Sequence, residues 1–185
     1  AAPTAGTLSG TQGICVNGTS TFASTISGGT WSSSDPAIAT VNANTGLVTG
    51  LTAGTATITY SVVGVGGCAN ATATRSVTVT TAPTAGTLSG NQSICVSGTS
   101  AYTSTVTGGS WSSSDTSIAT VNLTTGLVTG VAAGNAIITY TVTGTGGCAN
   151  ATATQTVTVT AAPTAGTLSG TQGICVNGTS TFAST

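Results

Sequence analysis

The segment Thr55-Ala56-Thr57-Ile58-Thr59-Tyr60-Ser61-Val62 alternates hydroxyl-bearing and apolar side chains with a period of two. Successive side chains of an extended strand point to opposite faces, so this pattern predicts one packed face and one hydrated face. Ser76-Val77-Thr78-Val79-Thr80 alternates in the same way, and Gly64-Val65-Gly66-Gly67 lies between the two segments. Glycine supplies the backbone freedom that a tight connection needs, and we therefore predict a β-hairpin.

Short strands separated by turns account for the rest of the first 80 residues. A turn is predicted at Asn44-Thr45-Gly46, and no helical period of meaningful length is present. Even spacing of short strands is typical of a β-sandwich, which makes the predicted fold class all-β. The seven predicted strands are Thr4–Leu8, Thr19–Thr25, Gly29–Ser33, Ala39–Asn42, Gly46–Thr49, Thr55–Val62 and Ala69–Thr80.

The whole pattern recurs with a period of 80 residues. Residues 1–80 and 81–160 agree at 57 of 80 positions, and residues 161–185 match residues 1–25 at every position. A fixed period of this length indicates a repeat array, and the identity of 161–185 with 1–25 indicates two alternating unit types. We call the sequence of residues 1–80 type I and that of residues 81–160 type II. The predicted domains are residues 1–80, residues 81–160, and residues 161–185 as the N-terminal part of a third repeat within a longer protein.

Charged side chains are almost absent, which excludes several classes of function. Only Asp35, Arg75 and Asp115 carry charge, against 45 Thr, 22 Ser and 27 Gly, and there is no Lys, His or Glu. One basic residue cannot neutralise a phosphate backbone, so we expect no nucleic-acid partner. Nothing is available to activate a serine nucleophile, and the two aspartates lie one repeat apart, so we expect no enzymatic activity. We also expect no metal and no cofactor. No apolar stretch is long enough to span a bilayer, so we expect no membrane insertion.

The cysteines follow the repeat. Cys15 and Cys68 are 53 residues apart, and so are Cys95 and Cys148. With no histidine and no closely spaced cysteines, this pattern favours a disulfide over zinc and predicts an oxidising compartment. We expect pairing within each repeat, Cys15 with Cys68 and Cys95 with Cys148, and pairing between neighbouring repeats is the alternative. Cys175 occupies the position of Cys15, and its partner is expected outside the chain.

Four ordered motifs in each repeat carry a family resemblance. They are Trp31–Asp35, Ile38–Asn42, Thr45–Gly50 and Ala53–Thr59 in the first repeat, and Trp111–Asp115, Ile118–Asn122, Thr125–Gly130 and Ala133–Thr139 in the second. In order and spacing they resemble the bacterial immunoglobulin-like domain, group 2, found as tandem repeats in giant surface proteins of the invasin and intimin type. The resemblance implies a small β-sandwich of about seven strands, strung in tandem on secreted adhesins and stalks. The cysteines and the missing charges depart from the commonest members.

Two functions are compatible with this resemblance. The first is an extracellular or cell-surface structural repeat of a fibre, filament, stalk or adhesin, whose partners are the neighbouring repeats. In support, Thr81-Ala82-Pro83-Thr84 joins the repeats without a flexible spacer, and Arg75 is the only site for a trypsin-type protease. The second is a binding module whose loops or threonine-rich faces recognise glycan, ice or a host surface.

Several side chains have both a structural and a functional interpretation. Trp31 and Trp111 are expected in the core, with sugar stacking as the alternative. Asp35 and Asp115 follow three serines and are expected to stabilise turns. Six of nine asparagines stand in Asn-x-Ser/Thr sequences, which makes them candidate acceptors of covalent glycans, although asparagine also suits turns. These six are Asn17, Asn70, Asn91, Asn122, Asn150 and Asn177.

Overall fold

A computed structural model describes residues 2–164, 166–170 and 172–184 of the chain. Ala165, Thr171 and Thr185 of the predicted third repeat, and Ala1, lie outside the described residues. The described residues form strands and turns, and none of them belongs to a helix of the length and apolarity that a membrane span requires. The all-β class predicted from the alternating pattern is confirmed.

Each of the first two repeats contains nine strands. Those of the first repeat are β1 (Leu8–Ser9), β2 (Gly13–Cys15), β3 (Thr19–Thr21), β4 (Ala23–Ser24), β5 (Thr30–Ser33), β6 (Ala39–Val41), β7 (Leu47–Gly50), β8 (Gly54–Val62) and β9 (Ala71–Thr80). Those of the second are β10 (Leu88–Ser89), β11 (Ser93–Cys95), β12 (Thr99–Ala101), β13 (Thr103–Ser104), β14 (Ser110–Ser113), β15 (Ala119–Val121), β16 (Leu127–Gly130), β17 (Gly134–Val142) and β18 (Ala151–Thr160). Residues 161–184 contribute β19 (Leu168–Ser169) and β20 (Ala183–Ser184).

The strands of a repeat form two facing sheets and a small ribbon. In the first repeat the larger sheet has the order β2-β9-β8-β5, the smaller sheet β3-β7-β6, and the ribbon β1-β4. All pairs are antiparallel except β2 with β9, which is parallel and places Ile14 beside Val79. The second repeat has the same order with β11-β18-β17-β14, β12-β16-β15 and β10-β13. Each repeat is thus a β-sandwich, as predicted.

Each sandwich encloses its own apolar core. The larger sheet contributes Ile58 and Val77 and the smaller sheet Val48, all fully buried, because the alternating pattern turns every second side chain inward. The corresponding residues of the second repeat form a separate cluster. In the third repeat Ile174 and Phe182 are each 61% exposed, whereas the identical Ile14 and Phe22 are 4% and 1% exposed. The strands that cover Ile14 and Phe22 come later in the first repeat, from β5 to β9.

The short strands differ from the predicted ones for two local reasons. The predicted strand Thr4–Leu8 is interrupted at Gly6, whose φ of 67° is left-handed, so only Leu8 of this segment is extended and paired. The predicted strand Thr19–Thr25 is divided at Phe22, because β3 pairs with β7 and β4 pairs with β1. The strand β2 was not predicted, since three residues carry no period and its partner lies 65 residues away in the chain.

Candidate functional site at the repeat junction

The two sandwiches meet where β9 ends. Thr80 closes β9, and only four residues separate it from Ala85, which is already buried in the second core. On the other side of the junction lies the loop that connects β17 to β18 in the second repeat. The Thr80 hydroxyl lies 3.3 Å from Thr145 O and 3.2 Å from Gly146 O of this loop, within reach to donate a hydrogen bond. The junction is therefore a packed contact rather than a free linker.

Glycines allow this loop to approach β2 backbone to backbone. A Cβ atom on Gly13 would lie 3.1 Å from Gly146 Cα, and one on Gly147 would lie 2.6 Å from Gly13 O. Gly146 and Gly147 also have φ angles of 60° and 82°, in the left-handed region that favours glycine. A larger side chain at Gly147 would both strain the loop and separate the two sandwiches.

A disulfide crosses the junction. Cys15 at the end of β2 is bonded to Cys148 of the loop, with a Cα–Cα distance of 4.8 Å that lies within the usual disulfide range. The Thr80 carbonyl oxygen lies 3.5 Å from Cys148 Sγ. The bond links residues 133 positions apart, so it connects the two repeats as a second covalent path beside the backbone. We call it the junction disulfide.

The predicted pairing of Cys15 with Cys68, and of Cys95 with Cys148, is wrong in this structure. Cys15 is opposite Thr80, at the last residue of β9, whereas Cys68 precedes the first residue of β9. The nine residue steps of that strand separate the two cysteines by about 30 Å, at roughly 3.3 Å per residue. The second repeat has the same register, with Cys95 opposite Thr160. Pairing between neighbouring repeats, the alternative, is what the structure contains, and Cys68, Cys95 and Cys175 are free and exposed.

The two tryptophans lie inside the sandwiches. Trp31 and Trp111 are 7% and 4% exposed. The Trp31 ring packs 4.6 Å from the Tyr60 ring and 6.4 Å from the Phe22 ring, measured between centroids. The Tyr60 hydroxyl donates to Ile26 O and accepts from Gly29 N, so its polar tip is satisfied. Both indoles therefore fill core space.

The two aspartates stabilise turns. Asp35 Oδ1 accepts a hydrogen bond from Ala37 N at 3.0 Å, and Asp115 Oδ1 accepts from Ser117 N at 2.9 Å. Asp115 also accepts from the Ser117 hydroxyl at 2.6 Å. Among the residues that the structure describes, no three Cys, Asp, Glu or His side chains gather as a metal site would require.

Removing the Ser117 hydroxyl is expected to shift the titration of Asp115. The hydroxyl bond, followed by the backbone amide of Ser117, lowers the pKa of Asp115 below its ordinary value. This carboxylate therefore favours the folded state above its ordinary pKa, and the contribution is lost as the pH falls through the lower folded-state pKa. We expect Ser117→Ala to raise the pKa of Asp115 and Thr116→Ala to leave it in place. An NMR titration of the Asp115 side chain measures both, and an unchanged pKa in Ser117→Ala contradicts the assignment.

The candidate glycan acceptors are exposed, and most of them organise loops. Asn70 Oδ1 accepts a hydrogen bond from Gly64 N at 3.0 Å, and Asn150 Oδ1 accepts from Gly144 N at 2.9 Å. Asn91 and Asn122 likewise accept backbone hydrogen bonds, while Asn17 and Asn177 have left-handed φ angles of 66° and 69°. An N-linked sugar attaches to the amide nitrogen, so glycosylation would leave the oxygen contacts in place.

Two surface features could bind a ligand. The outward face of the β8–β9 pair carries a ladder of hydroxyls, in which Thr55 is opposite Thr78, Thr57 is opposite Ser76 and Thr59 is opposite Thr74. The second repeat has a cavity of about 330 Å³ whose lining residues include the exposed Thr103 and Thr107 beside the buried Tyr102, Trp111 and Tyr140. Exposed hydroxyls, whether in a flat array or in the wall of a cavity, are groups to which a carbohydrate can hydrogen-bond.

A model of the bacterial Ig-like domain, group 2, matches residues 8–73 and again residues 73–153. The two matches cover most of the chain and include the cysteines of both repeats. A search of curated proteins found no match.

Three solved structures match this chain at low similarity. The first is the surface layer protein SbsC, domains 1–6, with 19% identity and a TM-score of 0.38 over 100% of this chain and 32% of that one. The second is the C-terminal 282-residue fragment of intimin in complex with the intimin-binding domain of its translocated receptor, with 16% identity and a TM-score of 0.49 over 83% of this chain and 63% of that one. The third is BT4661, a SusE-like surface located polysaccharide binding protein from the Bacteroides thetaiotaomicron heparin utilisation locus, with 12% identity and a TM-score of 0.34 over 83% of this chain and 34% of that one. The chain thus spans less than two thirds of each of these structures. At these identities and TM-scores the likenesses carry no argument about function.

Proposed function

The chain belongs to the bacterial Ig-like domain family, group 2, and on this premise we propose that it is an extracellular structural repeat of a bacterial surface fibre, stalk or adhesin. Each 80-residue repeat is one Ig-like domain in this proposal, and residues 161–185 begin a third. The repeats supply length, rigidity and resistance to proteases, without catalysis. The neighbouring repeats are the partners of each domain.

The observation that carries the proposal is the junction disulfide. A tandem array joined by backbone alone bends at every linker, unless the domains pack against each other. Here the bond between Cys15 and Cys148 adds a second covalent connection, and the Thr80 hydroxyl and Gly13 backbone contact the same loop. A second covalent connection beside the backbone, together with these contacts, restricts the movement of one sandwich relative to the other, which is the property a stalk needs.

Resistance to proteases is supported by the position of the one basic side chain. Arg75 lies in the middle of β9, half-buried, with its Nε and Nη2 donating to Gly10 O and its Nη1 to Leu8 O. A protease must bind its target as an extended, unpaired segment, so cleavage after Arg75 requires β9 to leave the sheet. A disulfide favours an oxidising location, in agreement with a place outside the cell.

Small-angle X-ray scattering of the chain with and without the junction disulfide tests the proposed rigidity. We expect the oxidised chain to scatter as a rod with one fixed spacing between the two sandwiches. The Cys148→Ser variant should show a broader distribution of that spacing, because only the backbone and non-covalent contacts remain. Cys68→Ser removes the equivalent cysteine of the other repeat and should leave the profile unchanged. Equal profiles for the wild type and Cys148→Ser would contradict a stiffening role.

A binding module is the second candidate, favoured by the cavity of about 330 Å³ in the second repeat. Tyr102 and Trp111 line it together with the backbone of Gly108 and Gly109. Isothermal titration with bacterial and host oligosaccharides tests this function. Saturable binding would support this function if it is lost when the exposed Thr103 or Thr107 of the cavity wall is replaced by Arg. No binding to any of the oligosaccharides would contradict the binding function and leave only the structural one.

A further inference from the structure

We propose that Cys95 and Cys68 are the two halves of further junction disulfides, one to the following repeat and one to the preceding repeat. Cys95 bonds the loop cysteine of the type I repeat that follows it on the same polypeptide, and Cys68 bonds the strand cysteine of a preceding type II repeat. This proposal rests on the proposed structural function. With these bonds, every junction of the array has two covalent connections, the backbone and one disulfide.

The loop half of the site is already formed around Cys68. Gly66 and Gly67 have φ angles of 63° and 79°, compared with 60° and 82° for Gly146 and Gly147 in the bonded loop. Cys68 N donates to Val65 O at 3.3 Å, as Cys148 N donates to Thr145 O at 3.1 Å. The loop therefore has the bonded conformation while its cysteine is free, and no rearrangement is needed before the bond forms.

The strand half is likewise formed around Cys95. Val96 N donates to Thr160 O at 2.9 Å, and the same bond joins Val16 to Thr80 at 2.8 Å beside the bonded Cys15. The Thr160 hydroxyl lies 3.8 Å from Cys95 Sγ, so the threonine that contacts the loop at the closed junction is present at the open one. Both sulfurs are at exposed residues and accessible to a partner.

The sequence that follows β18 identifies the partner of Cys95. Residues 161–185 directly follow β18 and repeat residues 1–25, so the repeat that begins here is type I. The loop cysteine of a type I repeat is Cys68. At the closed junction a type I repeat precedes type II, and at the inferred one type II precedes type I, so the two junctions alternate along an array of this sequence.

The inferred junction differs from the closed one at several positions, among them Val65 in place of the loop residue Thr145, and one difference bears directly on how closely the loop approaches the strand. Ser93 of type II stands where type I has Gly13. A Cβ atom on Gly13 would be 3.1 Å from Gly146 Cα, a distance that requires the loop to move by a few tenths of an ångström. The loop can make this adjustment because its glycines are retained as Gly66 and Gly67. The Cα–Cα distance of the closed bond is 4.8 Å, and it can increase by a few tenths of an ångström and stay within the normal disulfide range.

The bond forms by ordinary thiol–disulfide exchange with a low-molecular-weight disulfide as the oxidant. The Cys95 thiolate attacks one sulfur of the small disulfide and releases one small thiolate. The loop cysteine, as its thiolate, then attacks the Cys95 sulfur of this mixed disulfide and releases the second small thiolate. Two protein thiols are oxidised to one disulfide, one small disulfide is reduced to two thiols, and both protons pass to the released thiolates.

A longer chain tests the proposal directly. The 185-residue chain is extended after Thr185 by a second copy of residues 26–160, which completes the type I repeat and adds a type II repeat. Both chains are oxidised with glutathione at low protein concentration and their free thiols are titrated under denaturing conditions. The 185-residue chain is expected to retain three free thiols, at Cys68, Cys95 and Cys175. Peptide mapping without reductant identifies each bond.

The extended chain is expected to retain two free thiols, although it contains three more cysteines. Cys95 should be bonded to the copy of Cys68, and Cys175 to the copy of Cys148. A matched Cys95→Ser variant should retain three free thiols, at Cys68 and at the copies of Cys68 and Cys95. These counts follow from the pairing of Cys15 with Cys148 applied at each junction.

Three other outcomes overturn the proposal in distinguishable ways. Four free thiols, with Cys95 and the copy of Cys68 unbonded and the chain still rod-like in solution scattering, would reject the inferred junction and leave the structural function standing. No free thiol, with every cysteine bonded within its own repeat, would reject the inferred junction and also the junction disulfide from which the structural function is argued. Covalent dimers joined through Cys95 and Cys68 of different chains would show that the partner is another molecule rather than the following repeat.

Discussion

Replacing Cys148 with serine should lower the free energy of unfolding of the chain by about 5 kcal/mol, on the chain-entropy model for a bond that spans 133 residues. The disulfide closes a loop that contains most of both sandwiches, so its loss enlarges the unfolded ensemble more than the loss of a bond within one repeat would. Guanidinium unfolding at mildly acidic pH, where free thiolates are scarce, measures the effect without disulfide exchange.

Cys68→Ser is the matched control for this prediction. Cys68 lies in the equivalent loop of the first repeat, with the same glycines and the same asparagine contact, but it is free and exposed. We expect its unfolding midpoint to equal that of the wild type. Equal midpoints for Cys148→Ser and Cys68→Ser would show that the junction disulfide contributes nothing to stability.

Ile138→Ala should destabilise the second sandwich by about 2–5 kcal/mol, whereas Ile137→Ala changes its stability by roughly 0.5 kcal/mol or less. The two isoleucines are neighbours on β17, but Ile138 is 0% exposed and Ile137 is 47% exposed. Alanine at position 138 leaves a cavity between the two sheets, while alanine at position 137 shortens a half-exposed side chain on the outward face and leaves no cavity there. The pair separates burial from strand propensity, because both variants make the same chemical change in the same strand.

Calorimetry of the two variants measures this difference. The thermal transition of the second sandwich should move to lower temperature in Ile138→Ala. Amide hydrogen exchange should show that the core residues of the first sandwich keep their protection. Equal shifts for the two variants would contradict the assignment of the inward and outward faces of β17.

The longest strands could be predicted from the sequence because their signal is local. The predicted strand Thr55–Val62 became β8 (Gly54–Val62), and the predicted Ala69–Thr80 became β9 (Ala71–Thr80). The glycine-rich connection between them lies where it was predicted, with Gly66 and Gly67 left-handed. Alternation with a period of two requires only that neighbouring residues face opposite ways, which any extended backbone ensures.

The short strands could not be predicted with the same reliability. β2 and the division of the segment Thr19–Thr25 into β3 and β4 depend on partners that lie far away in the chain. A strand of two or three residues has no period of its own. Its existence is decided by the sheet edge that is available to it, and no pattern within the segment reports that edge.

The sequence alone determined the all-β class, the repeat, the inward faces of the long strands and the presence of two cysteines, 53 residues apart, in each full repeat. The tertiary structure decided which cysteines meet. Parallel pairing of β2 with the end of β9 places Cys15 at one pole of its sandwich, while the β8–β9 connection places Cys68 at the other. Because a rigid sandwich holds these poles about one strand length apart, each cysteine can reach only a neighbouring repeat. A separation of 53 residues in the sequence does not indicate how far apart the two cysteines lie in space.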